Sequence, residues 1–300
     1  MSVARAPGKL VLSGAYAVLS GAPALVVAVD RYVSADSSRP AAFRTPEVQA
    51  AIGERRAPFF DAEALRENGQ KLGLGSSAAI LLASLGALEL DDEPGLGDDA
   101  LCQRVYLRAL EAHRTAQGGG SGVDVAASAH GGVLAARRRD GVLELTRMAL
   151  PTGLHFQIWG CSAAASTAVF LSRIAEFAAR DARAHRACIA AQADAAEFAL
   201  DAAERGAARE FVAAIARQAG TLSALGNAAG VRIVTVELAA LAELAASFDA
   251  ACLPAGAGGG DVAYYVGQEP APPEFEERAR ALGLSRIELA LGARGVHAAG

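Results

Sequence analysis

The sequence predicts an α+β chain, and three observations carry that expectation. Val-rich apolar runs separated by glycine turns come first, Ala-rich segments with charges at helical spacing fill the middle, and the two kinds do not alternate as βαβ units would. At 300 residues the chain exceeds what one compact core ordinarily needs, so two domains are expected, 1–150 and 151–300.

The elements follow in order. "KLVLSGAYAVLSGAPALVVAVDRYVSADS" alternates apolar runs with turns at Gly14 and Gly21, and "ALVVAVDRYVSA" is a strand. Residues 39–70 are polar and irregular. From Leu72 a turn leads into an Ala- and Leu-rich helix that ends near the acidic loop "ELDDEPGLGDD", and "DALCQRVYLRALEAHRTAQ" is a second helix. "GVLAARRRDGVLELTRM" is two strands around an Asp-Gly hairpin turn, and "GLHFQIWGCSAAAS" is a strand opening into a helix. Ser172 to Leu225 forms amphipathic helices, and Val236 to Phe248 another. After the turn "LPAGAGGGD" come the strand "VAYYVG", the helix "PEFEERARAL" and the strand "SRIELAL". No internal repeat of fixed period is visible.

Composition narrows the function classes. With 52% hydrophobic and 20% charged residues the chain folds, and a net charge of −5 offers no general attraction to nucleic acid or anionic lipid. No run of eighteen apolar residues and no leader-like N-terminus is present, so a cytoplasmic protein without membrane or nucleic-acid partners is expected, as monomer or homodimer. Cys102, Cys161, Cys188 and Cys252 form no C-x-x-C pair and read as buried thiols. His113, His130, His155, His185 and His297 lack metal-ligand spacing and read as structural or surface residues, with His113 or His130 the candidates for a place near a site. Lys9 and Lys71 are the only lysines among 28 basic residues. Under a bias that strongly favours Arg, a retained Lys is either a chance survival or a place that needs a compact, rotatable ammonium, and the position of both beside glycine-rich turns favours the second.

Three glycine-rich turns carry the chemistry. "GLGSSAA" offers free helix N–H groups, glycines that let backbone approach an anion, and two hydroxyls for a phosphate-bound metal. It is not a Walker A sequence, and Gly-Ser helix starts are also common for purely structural reasons. "GGGSGVDVAAS" adds Asp124, which is either a group that orients a nucleophile or metal, or a helix N-cap. "AGAGGGD", from Ala255 to Asp261, has more glycine than a hairpin requires, which points to close contact between backbone and ligand. No Ser-His-Asp arrangement can be assembled around Ser76 or Ser121.

In order, "APGKLVLSGAYAVLSG", "KLGLGSSAA", "GGGSGVDVAAS" and "AGAGGGD" resemble the signature regions of the GHMP kinases, the family of galactokinase, homoserine kinase, mevalonate kinase and phosphomevalonate kinase. Within it the phosphomevalonate kinases are nearest, through the Lys before the loop, "AHRTAQGGGSGVDVAAS", the closing Asp261 and "WGCSAAAST". The resemblance implies a two-domain fold, ribosomal-S5-like then ferredoxin-like, with ATP and Mg²⁺ in the cleft. It also implies phosphoryl transfer to a small phosphorylated mevalonate. Carried over by motif, Lys9 and Asp124 take the catalytic positions. Lys71, Gly73, Leu74, Gly75, Ser76, Ser77 and Ala78 bind ATP, with Ser77 at the metal. Lys9, Ser121, Gly122, Ser166, Thr167, Gly256, Ala257, Gly258 and Gly259 bind the acceptor.

The chain departs from the family pattern at three points. Ala15 stands where the first motif usually has Glu, Pro254-Ala255 precede the last glycine turn in place of a Ser or Thr, and His113 takes the position of a metal-binding Glu of mevalonate kinases. These departures leave two alternatives to weigh, a mevalonate kinase and a non-catalytic ligand sensor on the same fold.

Overall fold

The computed structural model describes residues 2–67, 69–161 and 167–299. A six-stranded antiparallel sheet contains β1 (Val3–Ser13), β2 (Pro23–Pro40), β3 (Pro58–Asp61), β6 (Val133–Arg139), β7 (Val142–Met148) and the terminal β12 (His297–Ala298), ordered β12-β1-β2-β6-β7 with β3 on the far part of β2. β4 (Arg66–Glu67) and β5 (Gln70–Lys71) form a short ribbon leading to the first glycine turn. Alternate residues of β2 enter two clusters: Leu25, Val27 and Val29 join the main core, while Ala24 and Val26 pack with Val123, Ala126 and Ala127. Burial on both faces explains why β2 reads as a continuous apolar run and not as an alternating one.

The expected Asp-Gly hairpin joins β6 to β7, with Asp140 at φ 51° and Gly141 at φ 82° and Arg139 opposite Val142. Two successive residues at positive φ are what a type I′ turn requires. Helix α1 (Pro46–Ile52) lies inside the stretch expected to be irregular. Its start signals are present: Thr45 caps it, accepting from the Val48 N–H at 3.3 Å, and Pro46 occupies the first turn.

Helix α2 (Ser76–Asp92) is buried along nearly its whole length beneath β1 and β2, consistent with its Ala-Leu composition. Helix α3 (Asp98–Gln117) packs against α1 and α2, and α4 (Val123–His130) against β1 and α3.

The second sheet is ordered β11-β8-β10-β9, from β8 (His155–Gly160), β9 (Ala251–Pro254), β10 (Val262–Gly267) and β11 (Ser285–Ile287). β11 is shorter than the expected "SRIELAL" strand. Helices α5 (Thr167–Arg180), α6 (Ala182–Glu204), α7 (Ala208–Ala229) and α8 (Val236–Ala246) fill the interval between β8 and β9, and α9 (Pro273–Ala281) precedes β11. Adjacent tyrosines on β10 face opposite clusters: Tyr264 enters the main core and donates its hydroxyl to the Leu12 carbonyl of β1, whereas Tyr265 packs beside Phe275 of α9. That bond and the shared core fix the second sheet against the first. β12 returns the chain end to β1, so the first sheet holds strands from both ends of the sequence. Among the described residues no helix is long and apolar enough to cross a membrane.

Candidate active site

The turn before α2 is where three glycine segments converge. Gly73 (φ 69°) and Gly75 (φ 77°) are left-handed, and Gly75 caps α2 without a side chain. A methyl group on Gly73 would lie 2.5 Å from Asp261 Cβ, and one on Gly75 would lie 3.0 Å from Lys9 Cε. Glycine at both positions therefore admits Asp261 from the last turn and Lys9 from β1 against the loop. Lys9 is held twice: its backbone N–H donates to Leu74 O at 2.9 Å and its ammonium to Gly73 O at 3.2 Å.

Asp124 is not the helix cap. Gly122, at φ 80°, takes that place, and Asp124 sits in the first turn of α4. One carboxylate oxygen accepts from the Val125 N–H at 2.9 Å, and the other lies 3.3 Å from His113 Nε2. His113, 4% exposed, also meets Ser77 Oγ at 3.4 Å. One turn further along α3, Gln117 donates to Ser77 Oγ at 3.3 Å and to Glu47 Oε1 at 3.2 Å. A polar chain thus runs from α4 through α3 to α2 and α1, holding both Asp124 and the loop hydroxyl. Burial pushes the Lys9 ammonium below its ordinary range, and the carboxylates of Asp124 and Asp261 oppose that shift.

Two neighbouring cavities share Lys9, Gln117, Gly120, Asp124 and Leu171. One is walled by the loop residues Gly73, Gly75, Ser76 and Ser77 with Glu47, Lys71 and Asp261. The other is walled by Ala15, Tyr16, Ser121, Gly122, Gly256 and Ala257. Tyr16 donates its hydroxyl to Ala257 O and so ties the first and last turns together. Beyond the loop, a third hollow with Phe43, Phe59 and Phe60 continues from Lys71 and Ser76.

Of the residues expected to form the site, Lys9, Lys71, Gly73, Gly75, Ser76, Ser77, Asp124, Ser121, Gly122, Gly256 and Ala257 line these cavities. Leu74 and Ala78 turn their side chains into the core, Leu74 contributing its carbonyl to Lys9. Gly258 and Gly259 do not line either cavity and pack on Ile233, whose carbonyl accepts from the Gly259 N–H at 2.8 Å. Thr167 opens α5, and Ser166 lies outside the described residues. His113 enters the site as one of the two histidines singled out, while Tyr16, Glu47 and Gln117 were not anticipated. Counting back from Asp124 gives the place of His113 on α3; which residues that face meets depends on how α2, α3 and α4 pack.

Among the described residues no group of three or more His, Cys, Asp or Glu side chains is placed to hold a metal ion. The Ser77 hydroxyl and the carboxylates of Asp124 and Asp261 are nevertheless hard oxygen donors around one cavity. Mg²⁺ takes such donors one or two at a time, with phosphate oxygens and water completing its shell, so these residues fit it.

Residues 49–132 match the GHMP kinases N terminal domain. The chain is similar to phosphomevalonate kinase of Streptomyces sp. (strain CL190), 29% identical over 332 residues, covering 86% of this chain and 88% of that one. Among solved structures, the Lin0012 protein of Listeria innocua superposes with a TM-score of 0.83 at 22% identity, covering 99% of each chain. Streptococcus pneumoniae phosphomevalonate kinase in complex with phosphomevalonate and AMPPNP superposes with a TM-score of 0.76 at 18% identity, covering 97% of this chain and all of that one. With its two sheets and converging glycine turns, the chain has the fold of these kinases, matches the GHMP kinases N terminal domain over residues 49–132, and is similar in sequence to a phosphomevalonate kinase.

Proposed function

We propose that this protein transfers the γ-phosphoryl group of ATP to the phosphate of (R)-5-phosphomevalonate, yielding 5-diphosphomevalonate and ADP. The observation that carries the proposal is the place of Lys9: its side chain lines both cavities, between the loop that opens α2 and the turn at Gly256. ATP lies with its phosphates on Gly73–Ser77 and its base toward Phe43, Phe59 and Phe60, and the acceptor lies between Tyr16, Ser121 and Gly256. A rank of helix N–H groups and an ammonium at the junction is what the approach of two anions needs.

The acceptor chemistry assigns the roles. A phosphomonoester with a second pKa of about 6 is mostly dianionic at neutral pH, so its oxygen attacks without a strong base. Lys9 then stabilises the charge shared by the transferring group and the acceptor, and Lys71 adds a second cation at the rim of the loop cavity. Asp124, fixed by His113 and the Val125 N–H, favours the charged form of Lys9 against the burial that opposes it. Ser77 and a carboxylate of the loop cavity would hold Mg²⁺, which would supply charge neutralisation on the ATP phosphates.

A second reading, mevalonate kinase, draws on the same position of Asp124, which borders both cavities and can accept the proton of an alcohol. An ADP-release assay with phosphomevalonate, mevalonate, galactose and homoserine separates the two. Turnover with phosphomevalonate alone supports the proposal, and none above background refutes it. ATP binding by calorimetry without turnover on any acceptor identifies a ligand sensor instead.

A further inference from the structure

The segment from Leu12 to Tyr16 leads from the end of β1 into one wall of the acceptor cavity, and side chains or carbonyls from the second half of the chain hold four of its five residues. Tyr264 of β10 donates its hydroxyl to the Leu12 carbonyl, and Tyr16 donates its own to the Ala257 carbonyl. Between them, Gln218 of α7 takes both Ser13 and Gly14. Ala15 and Tyr16 then wall the acceptor cavity, together with Leu19 of the short 3₁₀ turn Ala17–Ser20.

Gln218 is 1% exposed, and an amide that deep is stable where both of its ends are satisfied. Its Oε1 accepts from the Gly14 N–H at 3.1 Å, and its Nε2 donates to Ser13 Oγ. A backbone N–H can only donate, so Gly14 fixes which end of the amide faces it. Beyond the ladder, which ends with β1 at Ser13, the buried Gly14 N–H finds its acceptor in this side chain. The Gly14 carbonyl accepts from the Val18 N–H at 3.1 Å and so opens the 3₁₀ turn. Gly14 is left-handed, at φ 79°, and a methyl group on it would strike the Pro23 carbonyl of β2. The turn is thus held by β2, by its own next residues and by α7, and the hold from α7 passes through one side chain. The loop cavity takes Lys9 from β1 but, among the described residues, none from Val11 to Leu19.

We propose that Gln218 is a positioning residue for the acceptor: through Gly14 it sets where Ala15 and Tyr16 stand, and so how tightly the acceptor is held beside Lys9. It lines neither cavity itself and acts only through the wall. The inference rests on reading that cavity as the acceptor's, and it does not depend on which acceptor is used. Because the nucleotide side has no residue from this wall, the loss of Gln218 falls on the acceptor and spares ATP.

The test compares Gln218→Met, which keeps the length of the side chain and removes both hydrogen bonds, with Ile215→Val, which trims a buried side chain three residues earlier on α7 and removes none. Amide hydrogen exchange followed by NMR needs no ligand. Relative to the amides of α7 itself, the Gly14 amide should exchange about tenfold faster or more in Gln218→Met and be unchanged in Ile215→Val. Steady-state kinetics then use whichever acceptor the ADP-release assay identifies. The acceptor KM should rise about tenfold in Gln218→Met, the equivalent of one lost hydrogen bond, while the KM for ATP stays within about twofold. A merely structural role would lower kcat through the fraction of folded enzyme and leave both KM values native. Where no acceptor is turned over, the Kd of phosphomevalonate by calorimetry takes the place of KM, so an error in the assigned reaction does not mask the result. Unchanged exchange at Gly14, an unchanged acceptor KM or Kd, or an equal rise in the KM for ATP would each overturn the proposal.

Discussion

Gly73→Ala tests the packing of the last glycine turn against the first. At φ 69° an L-residue costs about 1–2 kcal/mol, and the new methyl would stand 2.5 Å from Asp261 Cβ and 2.8 Å from its Oδ2. Forcing a methyl group into filled space costs a further 1–3 kcal/mol or so, giving roughly 2–5 kcal/mol in all. Gly206, between α6 and α7, is a matched control: its φ is 68° and nothing lies within 4 Å of an added Cβ. Gly206→Ala should therefore lose only the backbone part, about 1–2 kcal/mol. Urea unfolding of both variants isolates the contact, since the backbone strain cancels in the difference. The same displacement should move the Gly73 carbonyl that accepts from Lys9, so Gly73→Ala should lose most of its kinase activity while Gly206→Ala keeps it. Equal destabilisation of the two, or full activity in Gly73→Ala, would refute the juxtaposition of loop and Asp261.

Three further substitutions probe the site chemistry. Lys9→Met should lower kcat/KM by about 10²–10³-fold or more, the cost of losing a charge-stabilising donor. Because the folded-state pKa of Lys9 lies below its ordinary 10.5, the unfolded chain binds more protons between those two values. The Lys9 contribution to stability therefore rises with pH across that window. Lys9→Met should thus be at least as stable as the native protein at neutral pH, with the margin shrinking toward pH 10.5, and urea melts at several pH values check it. Asp124→Asn should reduce turnover of a phosphate acceptor less than that of an alcohol, as kcat on phosphomevalonate and mevalonate will report; equal and complete loss of activity with Lys9→Met and Asp124→Asn on phosphomevalonate would argue against a base-free mechanism. His113→Asn releases both Asp124 and Ser77, so kcat should fall about 10–100-fold with little change in KM, measured by steady-state kinetics.

Much of the fold and part of the site are legible in the sequence because local chemistry dictates them. The Asp-Gly turn, the strand at Ala24 to Ala35 and the loop before α2 each follow from residues that have few other conformations. Helix α1 was equally encoded, in Thr45 and Pro46, but is short and surrounded by polar residues that mask its periodicity. Strand β12, two residues long, has no pattern to read and exists only through its pairing with β1. The contact of His113 with Ser77 and Asp124 is tertiary: a lone His on α3 gains a role only once α2 and α4 pack on the same face. Lysine scarcity pointed to Lys9 and Lys71, and both border the loop cavity although Lys71 is exposed.

The central claim is that the acceptor is a phosphate group lying across Lys9 from the nucleotide. Steady-state ADP release measured side by side with phosphomevalonate and mevalonate tests it most directly. Turnover with phosphomevalonate, abolished by Lys9→Met and largely retained in Asp124→Asn, is the predicted result. Turnover confined to mevalonate, or undiminished in Lys9→Met, would contradict it.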